Sequence, residues 1–159
     1  PLTFHHPHGW VSIGYGFAAS LGAKVGVPDR QVICLAGDGD FQMNGQELAT
    51  AAQVGAKPVV LIVNNGIYGT IRAHQERHYP ARVSGTAMAG NPDFAALARA
   101  YGFHAERVES TADFPAAFAR ACGSPTGAVL DLVVSPESLT PKVTLTQMRE
   151  AAMKARHQA

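Results

Sequence analysis

Two runs of apolar, largely β-branched residues, each stopping at a short loop of small and oxygen-bearing residues, constrain this chain more than any other feature. Gln31-Val32-Ile33-Cys34-Leu35-Ala36 ends at Gly37-Asp38-Gly39, and Pro58-Val59-Val60-Leu61-Ile62-Val63 ends at Asn64-Asn65. Apolar runs of this length without alternation read as strands covered on both faces of a parallel sheet. Between them the stretch that carries Gln46, Leu48, Ala49, Ala52 and Val54 has no internal proline and reads as a helix ending at Gly55. At about 1.5 Å per helical residue and about 3.3 Å per strand residue, roughly thirteen residues out and six back each cover about 20 Å. The chain returns to the level it left. A right-handed crossover then sets Asp38 and Asn65 side by side at the carboxyl edge of one sheet, where open α/β folds bind ligands.

That placement has chemical content. Magnesium takes near-octahedral oxygen ligands at about 2.0–2.1 Å, uses one or two carboxylates, and fills its other positions with water and phosphate oxygens. The Asp38 carboxylate, the Asn65 amide oxygen and a main-chain carbonyl just beyond suit such an ion. Glycines on both sides of Asp38 let the backbone approach a phosphate, and a helix start near 42–44 offers unpaired N–H groups. Competing motifs fail on particular residues. An EF-hand opening at Asp38 needs glycine at its sixth position, where Met43 stands. Gly14-Tyr15-Gly16-Phe17-Ala18-Ala19 has the letters of a dinucleotide fingerprint but precedes the first clear strand, and neither Gly22-Ala23-Lys24 nor Gly55-Ala56-Lys57 completes a phosphate loop. Asp-Gly and Asn-Asn are each common as plain turns. Their joint spacing, with Ser12-Ile13-Gly14 upstream and Tyr68-Gly69 downstream, is what argues for a site.

The pattern Gly-Asp-Gly, 24 residues, Asn-Asn resembles the cofactor signature of thiamine-diphosphate-dependent enzymes. The likeness extends to Ser12-Ile13-Gly14-Tyr15-Gly16-Phe17-Ala18-Ala19, to Glu47-Leu48-Ala49-Thr50-Ala51 and to Asn65-Gly66-Ile67-Tyr68-Gly69, and so covers about residues 9–134. The resemblance implies that Asp38, the Asn65 side chain and the Ile67 carbonyl bind Mg2+. It implies that backbone at Gly37, Gly39, Asp40, Tyr68 and Gly69 lines the diphosphate. It puts Val11, Ser12 and Ile13 against the aminopyrimidine, with the Val11 carbonyl accepting from the 4′-amino group and Ile13 as the apolar support that bends thiamine diphosphate. The glutamate that serves N1′ comes, in this family, from a separate pyrimidine-binding domain of the same or a neighbouring subunit, which implies a homo-oligomer. Ile71 stands where some pyruvate and indolepyruvate decarboxylases of the family have a proton-handling glutamate. The wording of residues 65–69 resembles the acetolactate-synthase-like and benzoylformate-decarboxylase-like branches. A carboligase or decarboxylase acting on small 2-oxo acids is therefore implied; the alternative is a cofactor-holding subunit without turnover of its own. A nicotinamide-dependent dehydrogenase lacks the acidic residue that should end a second strand.

The rest of the chain suits a doubly wound, mostly parallel α/β sheet of about five strands with helices on both faces. A helix follows Gly14 with Phe17, Leu21 and Val25 toward a core. Another begins within 67–74, residues 78–91 read as a mobile loop, and Asn91-Pro92-Asp93 starts a helix that stops at Gly102. Residues 103–108, 112–121 and 128–134 form a further strand-helix-strand unit. We expect a cofactor-binding domain over 1–134 and a partly helical tail over 135–159, whose thin apolar set of Leu145, Met148, Ala152 and Met153 should dock on a partner or fray. The chain enters at Pro1-Leu2-Thr3-Phe4 as if in the middle of a larger enzyme, and is expected to be a fragment or a split subunit. With 13 basic and 12 acidic side chains the net charge of +1 gives no case for nucleic acid or an acidic membrane surface. No apolar run reaches the ~20 residues of a membrane span, and Cys34 and Cys122 read as reduced thiols, so the cytoplasm is expected. His5, His6 and His8 read as a surface loop ahead of zinc ligation. His74, His78, Arg72, Arg77 and Arg82 read as surface groups on or beyond the helix after the Asn-Asn loop, and no catalytic side chain is assigned.

Overall fold

The computed structural model describes residues 3–157; Pro1 and Leu2, which opened the expectation of a fragment, lie outside the described residues, as do Gln158 and Ala159. The chain divides into two compact units, Pro1–Val63 with Pro92–Val133, and Asn64–Asn91 with Val134–Ala159.

The first unit is built on a sheet of β1 (Ile33–Gly37), β2 (Val59–Asn64), β3 (His104–Val108) and β4 (Ala128–Val133), in the order β1-β2-β4-β3. β1 and β2 pair in parallel with Ile33 opposite Val59 and Gly37 opposite Val63, and β3 and β4 pair in parallel with His104 opposite Ala128. The Ala128 N–H donates to the Pro58 carbonyl at 3.0 Å where β4 begins beside β2. Passing from β1 to β2 steps one way across the sheet and from β3 to β4 the other, so crossovers of the same hand must lie on opposite faces. They do. From the first crossover, Leu48 and Ala51 of α3 (Leu48–Val54) pack with Cys34, Ala36, Val60 and Ile62. From the second, Ala117 and Ala121 of α6 (Phe114–Gly123) pack with Val59, Val108 and Leu130. Alternate residues of β2, β3 and β4 serve two cores, as the pleat requires, whereas β1, expected to be covered on both faces, buries Cys34 and Ala36 and leaves Ile33 and Leu35 exposed because α6 packs over the other strands.

The doubly wound arrangement is as expected, but the sheet has four strands among the described residues, not about five. The four stretches read as strands, within 31–36, 58–63, 103–108 and 128–134, supply the sheet, and outside them the pairing among the described residues is an isolated antiparallel bridge, Ile67 to Ala87. The crossover after β1 also differs from the single helix expected. It is broken into α2 (Asp38–Gln42), a 3-10 turn at Gly45–Glu47, and α3, which ends where Gly55 takes a left-handed φ of 68°. In α1 (Tyr15–Gly26) Phe17 and Leu21 are buried, but Val25 is exposed and Ser20 takes the third inward place, donating to the Phe17 carbonyl at 2.7 Å. The helix α5 (Phe94–Ala100) starts as read, with the Asp93 carboxylate accepting the Ala96 N–H at 2.8 Å.

The second unit holds α4 (Gly69–His78) and α7 (Leu145–His157). The terminal helix packs on α4 within this unit. Its thin apolar set is supplemented by a charge pair that periodicity does not reveal. Glu76, fully buried, accepts from Arg149 Nε at 2.9 Å and Nη2 at 2.5 Å, from Arg72 Nε at 3.0 Å, and from the Ala81 N–H at 3.4 Å.

Candidate functional site

In the first unit the turn after β1 is held from beneath. Gly37 is extended, and α2 begins at once with Asp38, 2% exposed, and Gly39, also buried. Five residues of helix have little stability of their own. Phe41 anchors them, its ring between Phe17 at 5.0 Å and Phe94 at 5.8 Å between centroids. A Cβ on Gly45 would lie 3.0 Å from the Phe41 ring, so glycine is what lets the chain close over it.

Residues 11–14 precede α1 in the same unit. Val11 has φ of 45°, a costly conformation for a β-branched residue, and its N–H donates to the Pro7 carbonyl at 2.9 Å. The Ser12 carbonyl accepts from the Tyr15 N–H at 3.3 Å. Val11 and Ile13 are 61% and 56% exposed, and Trp10 is 92% exposed. Large apolar groups are thus presented by a specific and strained backbone.

The second unit carries the Asn-Asn loop. The Asn65 Oδ1 accepts the Ile67 N–H at 3.1 Å, an Asx turn that fixes the amide and leaves that oxygen a second lone pair. Gly66 makes the turn with φ of 68°. A strand-like segment splints the loop: the Tyr68 N–H donates to the Thr86 carbonyl at 3.0 Å and the Met88 N–H to the Gly66 carbonyl at 2.9 Å. The Tyr68 N–H is therefore already engaged. Gln75 holds the splint to α4, donating to the Ser84 carbonyl at 2.8 Å and accepting from the Ser84 N–H at 3.2 Å. A Cβ on Gly69 would come within 2.8 Å of Leu139 Cδ2 and 3.1 Å of Asn65 Nδ2.

The remaining candidates sort by what they touch. Arg72 is committed to Glu76, and the Arg149 guanidinium, followed by Arg72 and the Ala81 N–H, holds the Glu76 carboxyl down at about 2 against the cost of its burial. Arg77 meets Met148 Sδ at 4.0 Å. His74 and His78 are exposed with rings stacked 6.0 Å apart, and Arg82 and Ile71 are exposed. His5, His6 and His8 are exposed, with 4.7 Å between the His6 and His8 rings. Cys34 lies in one core cluster and Cys122 against the other, and both are free; burial pushes the Cys34 thiol up to about 11. No helix among the described residues is long and apolar enough to cross a membrane.

Sequence reasoning missed the side chains that brace these loops. Asp40 and Asn44 bond to Gly14 across 26 and 30 residues, and Gln75 reaches Ser84 across nine. Nothing in hydrophobic periodicity encodes such pairs.

Comparison with known proteins matches residues 1–132 to the family model described as thiamine pyrophosphate enzyme, C-terminal TPP binding domain. The chain is 42% identical over 135 residues to the acetolactate synthase large subunit of Parasynechococcus marenigrum, covering 80% of this chain and 22% of that protein. It is 36% identical over 155 residues to the probable acetolactate synthase large subunit of Methanococcus aeolicus, covering 95% of this chain and 26% of that one. Among solved structures, a thiamine diphosphate-dependent 4-hydroxybenzoylformate decarboxylase of Rhodococcus jostii superimposes with a TM-score of 0.70 at 34% identity, over 77% of this chain and 23% of that chain. The chain spans about a quarter or less of such relatives.

Proposed function

The chain belongs to the thiamine pyrophosphate enzymes, as their C-terminal cofactor-binding domain, and from that premise we propose that it grips the diphosphate of thiamine diphosphate through one Mg2+ held by Asp38, Asn65 and the Ile67 carbonyl. One observation carries the reading: β1 and β2 are parallel neighbours, Gly37 at the end of β1 is the register partner of Val63, and an oxygen-bearing side chain, Asp38 or Asn65, follows each of these two residues within two positions. The donor chemistry fits. A carboxylate oxygen and an amide oxygen with a spare lone pair are both hard ligands of the kind magnesium takes. Gly37 fits as well. Its φ of −72° is ordinary and an added Cβ would meet nothing closer than Asp40 Cβ at 3.9 Å, so packing does not call for glycine there, whereas a phosphate drawn against the main chain does.

Around the diphosphate the main chain at Gly39 and Asp40 contributes N–H groups, and Tyr68 and Gly69 border it. The Val11 carbonyl accepts from the aminopyrimidine 4′-amino group, Ser12 continues that wall, and Ile13 supplies the apolar surface on which the bent cofactor rests. Bound thiamine diphosphate supplies the electron sink that lets a 2-oxo acid lose carbon dioxide. The chain's residues orient it and hold the metal. We assign the domain to a longer, oligomeric lyase or transferase of the acetolactate-synthase-like kind, acting on small 2-oxo acids and completed by a pyrimidine-binding domain. The relatives' names, and Ile71 in place of a proton-handling glutamate, support a carboligase over a simple pyruvate decarboxylase.

Calorimetry of thiamine diphosphate on the chain tests the reading. Binding should require Mg2+ and should be weakened at least a hundredfold, roughly 3 kcal/mol, by Asp38→Ala. Metal-independent binding, or none to the wild-type chain, would overturn it.

A further inference from the structure

We infer that the side chains of Asp40 and Asn44 are positioning residues that clamp the Gly14 peptide and so hold the segment 11–13 in place for the cofactor, a role that rests on the function proposed above. The Gly14 N–H donates to Asp40 Oδ1, and the Gly14 carbonyl accepts from Asn44 Nδ2 at 2.5 Å. Both polar groups of one peptide-bearing residue are thus held by two side chains of the crossover that begins with Asp38.

Three features make this more than a helix start. Gly14 has φ of 96°, and a Cβ there would stand 2.9 Å from Met43 Cβ, so the approach of the two segments depends on glycine. Asn44 Oδ1 is the buried side-chain oxygen or nitrogen without a hydrogen-bond partner among the described residues, so the amide is oriented for Gly14 at the expense of its own acceptor. Val11, three residues upstream, keeps a left-handed φ that only an over-determined surrounding sustains. The Asp40 carboxylate, which would repel a diphosphate if it faced one, is instead turned to a main-chain donor. Its main chain and its side chain then serve different ends, the former beside the phosphates and the latter under the aminopyrimidine wall.

The test combines nuclear magnetic resonance of the Gly14 amide with binding of two ligands, magnesium thiamine diphosphate and magnesium pyrophosphate. In the wild-type chain the Gly14 amide proton should lie downfield and exchange slowly. Asp40→Ala should return it to an ordinary shift with fast exchange, Asp40→Asn should restore part of the effect, and Asn44→Ala, outside the diphosphate turn, should speed exchange on its own. Affinity for thiamine diphosphate should fall about tenfold in Asn44→Ala, with that variant's affinity for pyrophosphate little changed. An unshifted, freely exchanging Gly14 amide in the wild type would overturn the clamp while leaving the proposed function standing. Equal losses for both ligands would overturn the positioning role. A wild-type chain with the Gly14 signature that bound neither ligand would overturn the proposed function, and the positioning role with it, but not the clamp.

Discussion

Gly37 and Gly69 are both glycines of the proposed site, yet the space around them differs, and so do the expected effects of filling it. A methyl at Gly37 meets only Asp40 Cβ at 3.9 Å. Gly37→Ala should therefore leave the unfolding free energy within about 1 kcal/mol of wild type, while thiamine diphosphate affinity, read by calorimetry, drops about tenfold. A methyl at Gly69 presses on the Asn65 amide at 3.1 Å. There Gly69→Ala should weaken Mg2+ more than it weakens the fold, because Leu139 can swing aside and the Asn65 amide, held in its Asx turn, is displaced. The cysteines make a separate prediction. With the Cys34 thiol buried and pushed up to about 11, a thiol reagent at pH 8 should modify Cys122 in the native chain and reach Cys34 only on unfolding.

At the scale of elements, the α4–α7 pair depends on Glu76. Breaking a buried pair strands a charge, so Arg149→Met should cost roughly 3 kcal/mol in urea denaturation. The pH dependence has a definite sign. The Glu76 carboxyl is lowered from 4.5 to about 2 in the folded chain, so its contribution is complete above about 4.5 and is lost as pH falls toward 2, up to about 3 kcal/mol. Stability measured between pH 6 and 2 should fall in that window, and less steeply in Arg149→Met; a wild-type curve flat down to pH 2 would contradict the role of the pair. The same helices show where sequence reading succeeds and fails. Strand positions were legible because Val59, Val60 and Ile62 sit in an unbroken apolar run, and helix ends because Gly55 acts through local backbone geometry and Asp93 through a side-chain cap three residues on. The docking of α7 was not, since Glu76 and Arg149 are 73 residues apart and each alone looks like a surface charge. Val25 misled for the opposite reason: it keeps helical spacing with Phe17 and Leu21 but lies on the last turn, in solvent.

For the whole molecule, the loops of the proposed site were legible as words in the sequence, while their bracing by Asp40, Asn44 and Gln75 was not, because those bonds exist only once the chain has folded. The chain spans 22% of one acetolactate synthase subunit it resembles and 26% of another. On the proposed division of labour, in which a separate pyrimidine-binding domain supplies the glutamate that serves N1′, the chain alone should bind magnesium thiamine diphosphate yet show no turnover of pyruvate or benzoylformate; steady release of carbon dioxide from either would contradict it. The most direct measurement is a double-mutant cycle by calorimetry on Asp38→Ala and Asn65→Ala. If both side chains hold one Mg2+, each single change removes most of the metal-dependent affinity and the pair together removes little more. Losses that simply add, or metal-dependent binding that survives Asp38→Ala, would show that the two groups do not share an ion.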